Sequence, residues 1–298
     1  MESLFKKEWA AIERDETRPR RLRNYVRIPF AEIKRRTLAQ DPEFVRQTVN
    51  SLYAGDVLVL QGAYPTGFIE DIKVKAFEWG KQRPSSFHKM LGRTPDFHRI
   101  IDESLAHKYS MESIRHMYYF FRWNDDPLGL MDQVYDKWRV IKLIGGFDFD
   151  QYENNTPDDG VVDRIIIAHY PSGTGELETH SDPYKFQRTI MGTKMSIRGI
   201  DYQEGGLYFV DDKGNEVDIE NNIDLGDMYL SYATVLHGVR TIDPGQPTDW
   251  NSIKGRWFLG LYSAASDVPK DRHTGYGVTK SEYLGKAYEN SATPTTVG

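Results

Sequence analysis

Tyr170-Pro171-Ser172-Gly173-Thr174-Gly175-Glu176-Leu177-Glu178-Thr179-His180-Ser181-Asp182 is the stretch on which the reading of this chain turns. A Pro- and Gly-rich turn leads into a short segment ending in His-x-Asp. That spacing lets two side chains, at a strand end and its loop, turn toward one point. A second histidine follows 55 residues after Asp182, in Leu236-His237-Gly238-Val239. The gap is long enough for several short strands, so only folding could return His237 to the first pair. Two histidines and one carboxylate are the ligand set of a facial-triad Fe(II) site, which keeps positions open for a cosubstrate and O2.

Around these residues the chain reads as short strands separated by turns. Asn154–Gly160 is turn chemistry. Strands are expected over Val162–Ala168, Ile190–Ile197, Gly206–Val210, Glu216–Ile219, Asp227–Tyr232, Thr234–Val239 and Trp257–Tyr262. Many short strands with regular turns argue for a sandwich or a barrel.

Further features follow in order: a Glu204-Gly205-Gly206-Leu207-Tyr208-Phe209 hairpin, an acidic Gly226-Asp227 turn and Gly255-Arg256-Trp257. Together with Tyr-Pro-x-Gly-x-Gly, His-x-Asp and Leu-His-Gly-Val, this series resembles the Fe(II)/2-oxoglutarate-dependent oxygenases, most closely their prolyl-hydroxylase-like branch. The resemblance spans roughly residues 160–265, about a third of the chain. It implies a mostly β core with flanking helices (α+β), built as a double-stranded β-helix, the cupin-like jelly roll.

The resemblance also implies roles. His180, Asp182 and His237 would hold Fe(II), with 2-oxoglutarate as cosubstrate and O2 as oxidant. Arg256 would anchor the distal carboxylate of 2-oxoglutarate, because a guanidinium binds a carboxylate through two parallel hydrogen bonds. Arg256 lies 19 residues after His237, farther than is usual, because Asp243–Lys254 reads as an inserted loop. Arg240 is the competing anchor. On a strand, however, side chains alternate faces, so Arg240 should point away from the face that His237 shares with Val239. Arg256, Phe258 and Gly260 should then face inward, with Gly260 leaving room for a ligand, and Trp257, Leu259 and Leu261 outward. Tyr170 would hydrogen-bond the cosubstrate, and Ser196 or Lys194 would add a second contact. Iron halogenases of the superfamily lack the carboxylate ligand, so Asp182 favours hydroxylation or desaturation. Lys185 and Arg188, directly after Asp182, would rim the metal mouth. Arg122, in an aromatic run that reads as core, would line a substrate pocket.

The flanks carry less information. Glu2–Arg14 reads as an amphipathic helix, with Leu4, Phe5, Trp9 and Ile12 at helical spacing. A basic run over 14–36 reads as a solvated face. Asp41–Leu52 has the cap and first-turn proline of a helix. Asp56–Gln61 reads as a buried strand, and Pro65 to about Lys81 as a helix. His88, His98, His107 and His116 have no local chelating spacing. Three parts are expected: an N-terminal helical segment (1–55), an oxygenase domain (56–265) with a helical insert at about 64–150, and a polar tail (266–298) that lies on the surface or covers a neighbouring subunit.

Composition bounds the function. The chain of 298 residues is 39% hydrophobic and 28% charged, as in ordinary globular proteins. A net charge of −6 argues against nucleic-acid partners. The absence of cysteine excludes disulfides, zinc thiolate sites and cysteine nucleophiles, and fits a cytoplasmic location. No secretory leader and no membrane span is expected. A monomer or homodimer acting on a small-molecule metabolite or natural-product intermediate is the expectation. A protein or peptide hydroxylase of the same chemistry, or a non-catalytic sugar-binding jelly roll, are the alternatives.

Overall fold

Two long strands, β5 (Val161–Pro171) and β12 (Gly255–Ala265), pair antiparallel along their whole length and form the spine of the molecule. The computed structural model describes residues 3–14, 17–279 and 282–283. The remaining strands are β1 (Tyr25–Pro29), β2 (Val57–Gln61), β3 (Phe97–Ile101), β4 (Ser113–Phe120), β6 (Glu176–Ser181), β7 (Thr189–Lys194), β8 (Gly206–Val210), β9 (Glu216–Asp218), β10 (Met228–Tyr232), β11 (His237–Arg240) and β13 (Tyr276–Gly277). The helices are α1 (Leu4–Ile12), α2 (Phe30–Leu38), α3 (Pro42–Tyr53), α4 (Thr66–Lys81), α5 (Glu103–Ala106) and α6 (Met131–Ile144).

From β5 onward the chain alternates between two walls. β5, β7, β10 and β12 lie in one wall, in the order β10-β7-β12-β5, extended by β2 and β1 on one side and β4 and β3 on the other. β6, β11, β8 and β9 form the second wall, in that order. β4 pairs with both β5 and β6 and joins the walls at one edge. Strands that alternate in this way make a double-stranded β-helix, as expected. Among these named strands all pairings are antiparallel except β1 with β2.

The helices cover the outer face of the larger wall. Trp257, Leu259 and Leu261 of β12 pack outward into one core with Ile69, Ile72 and Phe77 of α4 and Val134 and Trp138 of α6. Burial of this kind, at roughly 25 cal/mol per Å² of apolar surface, orients the wall and leaves the alternate residues to face the cavity. Local signals agree: Asp41 accepts from the Phe44 N–H as N-cap of α3, with Pro42 in its first turn.

Two expectations need correction. The segment 64–150 is not only helical, because β3 and β4 run between α4 and α6 and extend the larger wall. In β4, Ser113, Arg115, Met117 and Tyr119 line the cavity, while His116, Tyr118 and Phe120 are buried on the other side. A strand buried on both faces shows no polar–apolar alternation. The chain after Ser266 is also not simply a surface tail as far as it is described. Arg272–Gly275 lines the cavity mouth, and β13 pairs with β6. The tail beyond residue 283 lies outside the described residues.

Candidate metal centre and adjoining pocket

The pairing of β11 with β6 sets His237 opposite His180, with ring centroids 4.2 Å apart. Asp182 sits one residue past the end of β6, its N–H donating to the Ala233 carbonyl at 3.0 Å. One ligating atom from each of the three residues lies within 4.8 Å of the others. Asp182 Oδ2 is 3.7 Å from His180 Nε2 and 3.3 Å from His237 Nε2. All three side chains are buried.

Both imidazoles are oriented the same way. Nδ1 of His180 lies 2.9 Å from the Glu178 carbonyl and Nδ1 of His237 lies 2.9 Å from the Val235 carbonyl. A carbonyl accepts only, so each Nδ1 carries a proton and each Nε2 is the ring nitrogen turned to the shared point, where the neutral ring offers its lone pair. Metal-ligating histidines are commonly oriented by such a bond from the second ring nitrogen. Burial and the neighbouring His237 push the His180 pKa down to about 3, so it is neutral. For Asp182, burial works to raise the pKa, but the two imidazoles and Arg115 outweigh it and hold the carboxyl below its ordinary value. Its Oδ2 is buried and makes no hydrogen bond. An ionised, buried carboxylate oxygen without a donor is costly unless a cation is held there. Two imidazoles oriented through Nδ1 and one carboxylate therefore fit a divalent metal such as Fe(II).

Beside the triad is a cavity of about 390 Å³ between the two walls. The inward face of β12 supplies Arg256, Phe258 and Tyr262, as alternation requires. Arg256 is buried, and its Nε donates to Glu220 Oε2 at 2.9 Å. The Leu207 N–H donates to the same oxygen at 2.7 Å. Tyr170 stands next to Arg256 in register, with the guanidinium carbon 5.8 Å from its ring centre. Tyr229 lines the same region. Gly260 leaves no room for a ligand: carbon atoms of the Phe258 and Tyr262 rings lie only 2.7 Å from where a Cβ would stand.

Other expected site residues lie elsewhere. Arg240 points away from the cavity and donates to the Glu216 side chain at 2.9 Å. Ser196 accepts the Trp257 N–H at 2.9 Å and acts as a latch between strand ends, not as a pocket residue. Lys194 donates to the Glu220 and Ile223 carbonyls on the far side of Glu220. Arg188 has a positive φ of 53° and turns to α1, where its Nε donates to Glu13 Oε2 at 3.0 Å. Arg122 is 3.1 Å from Glu153 and lies over the Tyr135 ring. Lys185 is exposed, with its ammonium over Phe186. None of these six side chains lines the cavity.

Residues that sequence reasoning missed lie on β3, β4 and the segment before β4. Arg99, Tyr109, Ser113 and Arg115 all line the cavity. His98 and His116, which have no local chelating spacing, do meet across β3 and β4. Their Nδ1 and Nε2 are 2.7 Å apart, and His116 Nδ1 continues to the Tyr118 hydroxyl at 3.0 Å. This is a buried hydrogen-bond chain without a carboxylate, on the face turned from the cavity.

No family model matches the chain, and no curated protein matches it. Solved structures do. A Pseudomonas putida prolyl-4-hydroxylase is 12% identical, with 73% of this chain and 96% of that one covered at a TM-score of 0.47. A Trichoplax adhaerens prolyl hydroxylase in complex with a hypoxia-inducible-factor peptide fragment is 13% identical, with 78% and 91% covered at 0.47. A 2OG-Fe(II) oxygenase family protein from Caulobacter crescentus is 14% identical, with 80% and 86% covered at 0.43. In its overall course the chain is similar to these oxygenases.

Proposed function

We propose that the protein is an Fe(II)/2-oxoglutarate-dependent oxygenase that hydroxylates or desaturates a small molecule. The observation that carries this reading is the buried triad itself. Two Nε2 lone pairs and the unbonded Asp182 Oδ2 converge beside a cavity that also holds the Arg256 guanidinium. Fe(II) would be held by His180, Asp182 and His237. With it bound, 2-oxoglutarate and O2 are converted to succinate and CO2 while one oxygen atom enters the substrate C–H bond as a hydroxyl.

The protein's own contribution is placement, charge and exclusion of water. The Glu178 and Val235 carbonyls fix the two imidazole planes. Glu220 holds Arg256 by Nε, which leaves the terminal guanidinium nitrogens for the distal carboxylate of 2-oxoglutarate. Tyr170 flanks that site. Aromatic rings and the Arg272–Gly275 segment line the same cavity, and its volume of about 390 Å³ supports a small molecule as substrate. Among the described residues no helix is long and apolar enough to cross a membrane.

The test is anaerobic titration of the Fe(II)-loaded protein with 2-oxoglutarate, followed by visible charge-transfer absorbance, then succinate release on admitting O2. Metal-dependent 2-oxoglutarate binding is expected. A protein that binds metal at the triad but not 2-oxoglutarate would sink the reading and leave a non-catalytic jelly roll.

A further inference from the structure

Four cavity residues lie together on β3, β4 and the segment that precedes β4, and three of them carry a buried polar atom with no partner. These atoms are Tyr109 Oη, Ser113 Oγ and Arg115 Nε. Arg115 makes one side-chain hydrogen bond, from Nη1 to the Tyr170 hydroxyl at 3.3 Å. Among the described residues no carboxylate pairs with Arg115 or with Arg99. The Arg99 guanidinium carbon stands 5.2 Å from the Tyr109 ring centre.

The strand register brings the two arginines together. Arg99 pairs with Met117 and Ile101 pairs with Arg115, so the arginines are diagonal neighbours on one face. Arg164 also lines the cavity but lies six residues before Tyr170 on the same face of β5, roughly 20 Å away along the strand. It is therefore a separate group. Buried donors such as Arg115 Nε are ordinarily satisfied, and the half-buried Arg99 and Arg115 both carry positive charge into the cavity. Here the missing partner is an acceptor with negative charge.

We infer that Arg99, Arg115, Tyr109 and Ser113 form a subsite for the carboxylate of the primary substrate, whose body is apolar or aromatic. The inference rests on the oxygenase reading for the word substrate, but the subsite itself does not. The body follows from the rest of the lining, which includes Phe97, Met117, Tyr119, Ile166, Phe258 and Tyr262. The cosubstrate, also a carboxylate, is assigned to Arg256. β4 pairs with β6, the strand that carries His180, and both line the same cavity, which sets this subsite on the side of the triad.

The experiment uses the metal-loaded protein saturated with 2-oxoglutarate under anaerobic conditions. Calorimetry measures binding of benzoate, 3-phenylpropanoate, 4-phenylbutyrate and indole-3-acetate against their neutral primary amides. At least one carboxylate should bind roughly ten- to a hundredfold more tightly than its amide, the range for a hydrogen bond to a charged group. Arg115→Gln and Arg99→Gln should each remove most of that preference, and Arg164→Gln should not. Arg256→Gln should weaken 2-oxoglutarate and keep the carboxylate-over-amide preference. The inference is overturned if no carboxylate outbinds its amide, if Arg164→Gln alone removes the preference, or if Arg115→Gln weakens 2-oxoglutarate as much as Arg256→Gln does. Retained preference without any 2-oxoglutarate binding would keep the subsite and remove the oxygenase reading. Circular dichroism of each variant separates loss of the subsite from loss of the fold.

Discussion

Glu220 Oε2 accepts the Nε–H of Arg256 at 2.9 Å, and both side chains are almost fully buried, at 1% and 2% exposure. Glu220 is therefore the counter-ion that lets a guanidinium sit inside the barrel. The contact uses Nε, so the far edge of that guanidinium is where the proposed cosubstrate carboxylate would bind.

Arg256→Gln should weaken 2-oxoglutarate binding by roughly ten- to a hundredfold, the cost of one hydrogen bond to a charged group. Arg240→Gln should be much milder, because that side chain bonds Glu216 outside the cavity. Glu220→Gln should act on the fold first. It leaves Arg256 and Lys194 without a buried counter-charge, at about 3–5 kcal/mol. Titration of 2-oxoglutarate checks the first two and urea unfolding the third. A larger cosubstrate defect in the Arg240 variant would reassign the anchor.

Asp182→Ala should abolish metal-dependent stabilisation and succinate formation while the metal-free protein stays folded. The removed carboxylate oxygen has no hydrogen bond to lose. In the wild type, metal at roughly 100 times its dissociation constant should add about 2.7 kcal/mol. Thermal shift with and without Mn(II) reads both effects. An equal metal-induced shift in the variant would exclude Asp182 as a ligand.

The chain made some of this legible and concealed the rest. The triad was readable because its spacing and surrounding turns are specific, and Arg256 because strand alternation puts it on the metal face. Arg99 and Arg115 were not readable. Their strands are buried on both faces, so no polar–apolar period distinguished an arginine that points inward from one in solvent. Arg188 misled for a local reason. Adjacency to Asp182 suggested the rim, but from a backbone of positive φ its side chain runs to Glu13, the residue that ends α1.

His116 should make the fold sensitive to acid. Burial, with His98 and His169 nearby, pushes its pKa down to about 2 from an ordinary 6.5. A depressed histidine is neutral when folded, and the unfolded chain takes up its proton first. Its contribution is present above pH 6.5 and is lost as pH falls from there toward 2. Asp96, pushed up to about 6 by burial, works in the opposite sense over roughly pH 4–6. The observable is therefore a difference. Between about pH 6 and pH 5 the wild type should lose about 1 kcal/mol more stability than His116→Gln. Parallel urea midpoints for the two proteins across that range would refute it.

The last prediction concerns the inserted loop and the turn before His-x-Asp. Gly173 has a φ of +106°, and a Cβ there would stand 2.5 Å from the Gln246 carbonyl oxygen and 2.7 Å from Thr248 Oγ1. Its own N–H donates to the Ile242 carbonyl at 2.8 Å, and the Asp243 side chain accepts from Ser172 Oγ at 2.6 Å. The insert is thus seated on the turn, and the turn must lack a side chain at this point. Gly62 is the control, with a φ of +64° and nothing within 4 Å of its Cβ position. Gly62→Ala should cost only the left-handed backbone penalty of about 1–2 kcal/mol. Gly173→Ala adds a backbone clash that neither segment can relieve by rotating a side chain, so it should cost about 3 kcal/mol or more. Because the turn joins Tyr170 to the strand that carries His180, it should also weaken 2-oxoglutarate, which Gly62→Ala should not. Equal unfolding midpoints for the two variants would mean that the insert is not seated against Gly173 in solution.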